Sequence, residues 1–189
     1  MNLTLSQVKT NLTNVDFSKL PKPGKNKGYR GQLLELALGI PNSSRLTDLI
    51  DGELKSYTKG ESIAITQLRH VLPEVMNKTP FEKTKVGIKI LRTLYVGFDK
   101  NNNFLGSVTH TEENQLIKED YEYISEVIRS RVAKGLPLST VTGLNGVLQI
   151  RTKDSKYKGK YHPILWEGQQ LSNKGYAFYL TGKYAKSIV

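Results

Sequence analysis

Apolar residues recur with two periods along this chain, and the switches between them outline its elements. From Tyr29 to Leu38 the residues Leu33, Leu34, Ala37 and Leu38 fall on one helical face, and Gly39 and Pro41 stop the run. Leu49 to Tyr57 and Glu61 to Thr66 read as strands, the second carrying Ile63, Ala64 and Ile65. Val86 to Phe98 is strongly apolar. Ile90, Leu94, Val96 and Phe98 share a period of two, so at least the second half of that stretch is expected as a buried strand. Asp99 to Asn103 is a turn, with a short strand expected at Phe104 to Val108. Glu112 to Lys134 carries the clearest helical pattern, with Leu116, Ile117, Tyr121, Ile124, Val127, Ile128 and Val132 at helical spacing before Gly135-Leu-Pro137. Val147 to Arg151 and Gly175 to Leu180 read as further strands, the C-terminus as helical, and residues 1–18 as a short helix or strand. Central strands with flanking helices predict an α/β or α+β domain.

The chain has 189 residues, which suits one compact domain, 1–189, or two small lobes around a cleft. It has no cysteine, so disulfides and thiolate metal sites are excluded, which fits a reducing cytoplasm. No apolar run approaches the roughly 20 residues of a membrane span, and the start has no apolar leader, so a soluble protein is expected.

The formal net charge is +11, and lysines outnumber arginines 21 to 7. Such a surplus favours a polyanionic partner, most often nucleic acid. Its lysine bias suits phosphate contact more than bidentate base reading. Two stretches concentrate it. Lys19 to Gly28 is a basic loop with two prolines and two glycines, which lacks the Walker spacing of a nucleotide site. Lys153 to Tyr161 interleaves lysine with tyrosine and reads either as a phosphate-contacting loop or as a solvated one.

The candidate chemistry lies in Asp48-Leu-Ile-Asp-Gly-Glu53-Leu-Lys55. In a strand, Glu53 and Lys55 project from one face and Leu54 from the other. Carboxylates from Asp48 and Glu53 suit Mg²⁺, a cation that takes hard oxygen ligands. Such a site polarises a phosphate and activates water. The lysine can orient the attacking water or stabilise charge growing on phosphorus. Asp51 is the rival acid, on the same face as Glu53 and crowding it. Taken alone, the pattern reads more readily as a solvated surface charge pair. Glu35, set among Leu33, Leu34 and Leu36, lies either at a solvent edge or towards a polar site. His70, His110 and His162 lack metal-ligand spacing, and Trp166 reads as packing.

Several ordered blocks resemble the MutH and Sau-type GATC restriction endonuclease family, within the PD-(D/E)XK nuclease superfamily. Lys27-Gly-Tyr-Arg-Gly-Gln-Leu-Leu-Glu35 resembles its N-terminal block, and Glu53-Leu-Lys55 its Glu-Leu-Lys block. Phe81 to Tyr95, Asn114 to Glu122, Leu148 to Lys153 and Phe178-Tyr-Leu180 are similar to its later blocks, in the same order. The spacing from Asp48 to Glu53 is shorter than in MutH, and Thr152 stands where MutH has proline.

The resemblance implies a restriction-endonuclease-like central mixed sheet flanked by helices, with two subdomains forming a DNA cleft. It implies that Glu35, Asp48 and Glu53 lie near Mg²⁺, with Mn²⁺ as a substitute cation, and that Lys55 and Lys89 lie beside the scissile phosphate. Lys27, Arg151 and Tyr179 would contact double-stranded DNA, with Arg151 reading a base and Lys153 adding to the interface. The expected activity is sequence-specific hydrolysis of duplex DNA, with GATC as the expected site, in the cytoplasm at the nucleoid and with a homodimer on DNA as one arrangement. Two alternatives stay open: a MutH-like nicking enzyme of mismatch repair with a MutL-like partner, and a non-catalytic DNA-binding protein of the same fold.

Overall fold

The computed structural model describes residues 3–20, 28–40, 49–109, 114–153, 156–157 and 159–188. Along them run α1 (Leu5–Leu12), α2 (Gly28–Ala37), β1 (Glu53–Thr58), β2 (Ile63–Gln67), α3 (Leu68–Met76), α4 (Lys85–Leu91), β3 (Thr93–Phe98), β4 (Phe104–Thr109) and α5 (Gln115–Ala133). There follow β5 (Val141–Thr142), β6 (Leu148–Thr152), β7 (Lys156–Tyr157), β8 (Lys160–Tyr161), β9 (Ile164–Trp166), β10 (Gln169–Ser172), β11 (Tyr176–Leu180) and α6 (Gly182–Ser187). The expected strands and helices are present, and the chain is an α+β protein. The first half of the apolar run at Val86, left open by its pattern, is helical, and β1 begins at Glu53 rather than at Leu49. α3, β5, β9 and β10 were not expected, and the Lys153 to Tyr161 stretch, expected as a loop, carries β7 and β8.

The chain forms two compact units: residues 1–61, 89–113 and 185–189, and residues 62–88 and 114–184. The first unit is built on a three-stranded sheet in the order β1-β3-β4. β1 and β3 run parallel, with Glu53 opposite Thr93 and Lys55 opposite Tyr95, and β4 pairs antiparallel to β3. All six residues of β3 are buried, as a central strand covered on both faces requires. A capping box between Thr4 and Gln7 starts α1, whose Val8 and Leu12 enter the core one helical turn apart. On α2 the buried residues are Arg30 and Leu34, with Leu38 buried just past its end, while Ala37, expected on that face, is exposed. Leu34, Leu54, Leu94, Val96 and Phe98 complete the core.

Arg30 is buried for a physical reason. Its Nη1 donates to Thr58 Oγ1 and Asn102 Oδ1, each at 3.2 Å, and its guanidinium lies 4.6 Å from the Phe98 ring centroid. Burial lowers its pKa and the Glu61 carboxylate works against that shift. The arginine thereby ties α2 to the end of β1 and to the β3–β4 turn.

The second unit is built on an antiparallel sheet in the order β2-β11-β6-β5, with β9 and β10 as a separate hairpin and β7 and β8 as another. Among the described residues the mixed pairing is thus confined to the first unit's sheet. All five residues of β11 are buried. On α5, Ile117, Tyr121, Ile124 and Ile128 form the buried stripe, while Leu116 is exposed. Tyr121 packs against Phe81 and Phe178 with ring centroids 5.2 and 5.7 Å away. Asp120, fully buried, accepts the backbone N–H groups of Asn145 and Val147 at 2.8 Å and of Leu148 at 3.0 Å. Gly143 makes this possible: a Cβ there would lie 2.0 Å from Asp120 Cγ.

Candidate active site

The start of β1 is pressed against the chain between α4 and β3, and a glycine allows it. A Cβ on Gly52 would lie 2.1 Å from the Arg92 carbonyl oxygen and 2.6 Å from Leu5 Cδ1. Glu53 N donates to that same Arg92 oxygen at 2.8 Å. Thr93, opposite Glu53, donates its hydroxyl to the Lys89 carbonyl oxygen. These bonds fix the last turn of α4, and so Lys89, beside the first residue of β1.

Glu53 and Lys55 project from one face of β1 as their spacing predicts, while Leu54 enters the core. Lys55 Nζ lies 3.0 Å from Glu53 Oε1, and Lys89 Nζ lies 3.7 Å from Glu53 Oε2. The Glu53 side chain is 9% exposed, against 21% and 19% for the two lysines. Although Oε2 is buried, it accepts no hydrogen bond. Lys89 at its ion-pair distance supplies charge without a hydrogen bond. A carboxylate oxygen in that state is a ready ligand for a hard cation, and the two ammoniums give the cluster a net positive charge that favours a phosphate.

Tyr57 shares the face of Glu53 and Lys55. Its ring meets Tyr95 edge-on, its hydroxyl is buried without a hydrogen bond, and burial pushes its pKa up to about 12.

The other expected site residues divide into three groups. Asp48 and Lys27 lie outside the described residues, as does His110. Glu35 sits on α2, which covers the opposite face of β1: Gly31 approaches Ser56 Oγ and Arg30 bonds Thr58. Asp51, the rival acid, is used elsewhere, accepting the N–H of Leu5 at 2.7 Å at the start of α1, where a carboxylate is favoured. Among the described residues no three acidic or histidine side chains converge. His70 and His162 are exposed, and Trp166 is half-buried.

Arg151 and Tyr179 belong to the second unit's sheet and come together there. The Arg151 guanidinium lies 4.1 Å from the Tyr179 ring centroid, and its Nη2 donates to Ser62 Oγ at 2.7 Å. Lys153 follows β6 directly, its N–H bonded to the Gly175 carbonyl oxygen at 2.9 Å. Sequence reasoning missed Gly52, Thr93 and Tyr57. The Asp-Gly step before the strand and the Glu-x-Lys-x-Tyr alternation were the signals available for the first and last; Thr93 carried none.

The fold and this cluster define an α+β protein with a buried acid clasped by two lysines at the head of a parallel strand pair. No protein-family model matches the chain, and no curated protein matches it.

Proposed function

We propose that this chain is a Mg²⁺-dependent endonuclease acting on duplex DNA, with a restriction-endonuclease-like fold of the kind the MutH and Sau-type blocks imply. The observation that carries the reading is the Glu53 carboxylate, buried between Lys55 and Lys89 with one oxygen left without a hydrogen bond. Glu53 would hold the cation, with Asp48 as its second carboxylate; Glu35 is the further acid that the resembling blocks imply. Mg²⁺ takes one or two protein carboxylates and fills its remaining positions from water and phosphate, so this donor set suits it. When bound, the cation supplies Lewis-acid polarisation of a phosphoryl oxygen.

The chain's own groups do the rest. Lys55, at hydrogen-bond distance from Glu53, orients the attacking water through its ammonium and stabilises the charge that grows on the phosphorane oxygens. Lys89, fixed by the Thr93 bond, holds a non-bridging phosphate oxygen. The +11 surplus holds the duplex, and Arg151, Lys153 and Tyr179 supply the reading surface of the second unit. A restriction-type, double-strand cut is the preferred form of the activity, at the nucleoid of the cytoplasm.

Incubating supercoiled plasmid with the protein and Mg²⁺ tests this directly. Linear product without added partners is expected from the wild type, and none from Glu53→Ala or Lys55→Ala, both of which keep DNA binding. Cleavage at the wild-type rate by either variant refutes the site. Binding by the wild type without any Mg²⁺-dependent cleavage refutes the enzymatic reading.

A further inference from the structure

Gln149 and Arg151 stand two residues apart on β6, so their side chains share a face. Leu148 and Ile150 point the other way, and both are fully buried. Opposite Gln149 in the register stands Tyr179, and opposite Arg151 stands Ala177. Across β11, Ala64 of β2 is the partner of Tyr179. Gln67 of β2 stands opposite Ala177. The face therefore carries Arg151, Gln149, Gln67 and Tyr179 with two alanines; Ala177 and Tyr179 are buried beneath it, while Gln149 and Arg151 stay half-buried.

Both polar side chains are held in place. Arg151 is stacked on Tyr179 and gives one N–H to Ser62. Gln149 donates one N–H of its amide to Thr142 Oγ1 at 2.8 Å, which fixes the amide plane against β5. A guanidinium with one N–H used keeps four for a ligand. A glutamine amide with one N–H used keeps one donor and its carbonyl oxygen. That remaining pair is complementary to the N7 acceptor and N6 amino donor of adenine, as an arginine fork is to guanine O6 and N7. A neutral amide is a poor phosphate ligand beside a lysine-rich surface, so its placement next to the stacked arginine favours a base edge over the backbone.

We infer that Gln149 is a second specificity-determining residue, reading an adenine in the major groove within about two base pairs of the guanine read by Arg151; two residues of strand span roughly 6.6 Å, close to two base-pair steps. This rests on the duplex-DNA reading above and adds to it the identity of a second base.

The test is selection of bound duplexes from a randomised library, with Ca²⁺ in place of Mg²⁺ to prevent cleavage, followed by binding to the selected duplex and to a copy with 7-deazaadenine at each adenine. The wild type is expected to select a motif containing a guanine and a nearby adenine, and to lose roughly 10-fold or more in affinity when that adenine's N7 is removed, the size of one bidentate contact. Gln149→Ala is expected to keep the guanine preference, lose the adenine preference and ignore the deaza substitution. Gln149→Glu is expected to shift that position towards cytosine, whose amino group a carboxylate accepts. Arg151→Ala is expected to lose the guanine preference instead. A folding defect lowers binding to every duplex alike, so the deaza comparison within each variant separates it from lost base reading. If the wild type selects a motif and Gln149→Ala selects the same one with the same deaza sensitivity, the inference on Gln149 is overturned while the DNA reading stands. If the wild type selects no motif and binds no duplex, both are overturned.

Discussion

Replacing Glu53 by glutamine keeps the shape of the cluster and removes its charge, so its effect separates electrostatics from packing. In the wild type one carboxylate faces two ammoniums, at 3.0 and 3.7 Å. At about 4 Å and an effective dielectric of about 20, each attraction is worth roughly 4 kcal/mol before desolvation is subtracted. Burying the carboxylate cancels most of that gain. Removing one partner of a fully buried pair costs roughly 3–5 kcal/mol, because the remaining charge is stranded. Here the lysine side chains are about one-fifth exposed and can turn towards water, which relieves part of the penalty. The expected loss for Glu53→Gln is therefore about 2 kcal/mol in urea denaturation without divalent cation, smaller at high salt. The second half of the measurement uses Mg²⁺. A cation that binds only the folded chain stabilises it by about 2.7 kcal/mol at 100 times its dissociation constant. The wild type should gain stability as Mg²⁺ rises, and Glu53→Gln should not. A variant as stable as the wild type without cation would refute the electrostatic account of the cluster. A variant that still gains the full Mg²⁺ increment would refute Glu53 as a ligand.

Three further outcomes follow from other parts of the molecule. Duplex binding should weaken steeply as salt rises from 50 to 200 mM, with a log–log slope of about −0.9 per phosphate contact; a flat profile in a filter-binding titration would remove the role assigned to the lysine surplus. Asp120→Asn should cost about 3 kcal/mol in chemical denaturation, because an amide cannot accept all three backbone N–H groups, and Gly143→Ala should also destabilise, since its Cβ collides with that carboxylate; wild-type stability in both would contradict the geometry. Tyr57 has its pKa raised by burial from 10.0 to about 12. Its protonated form is thus the one the fold favours. Folded stability is therefore insensitive to this group below about pH 10 and falls as pH rises towards 12, by roughly 2 kcal/mol. Tyr57→Phe should be at least as stable as the wild type at neutral pH, since it removes an unpartnered buried hydroxyl, and its stability should fall less between pH 10 and 12; an unchanged alkaline slope would show that the hydroxyl reaches solvent.

What the sequence made legible, and what it hid, follows the range of the forces involved. Elements set by local periodicity were readable: α5 and β3 lie where their apolar spacing put them, and Glu53 and Lys55 share a face because strand alternation leaves no other choice. The pairing of the strands was not readable, because β1 meets β3 across an intervening strand and two helices, and no local signal encodes that partner. The same distance hid the reason Lys89 matters. Nothing between Gly52 and Lys89 in the sequence indicates that a missing Cβ at one and a hydroxyl on Thr93 draw them together, yet those two contacts bring the second ammonium to Glu53. A spacing pattern could nominate Glu-x-Lys only as a charge pair, the common fate of such pairs on a surface strand. Burial distinguishes it: a solvated pair would leave both carboxylate oxygens to water, whereas Glu53 Oε2 is closed off from solvent and faces a lysine that stops short of bonding it. Leaving a charged oxygen in that condition costs stability unless something binds it. That cost is the physical argument for a ligand at this position.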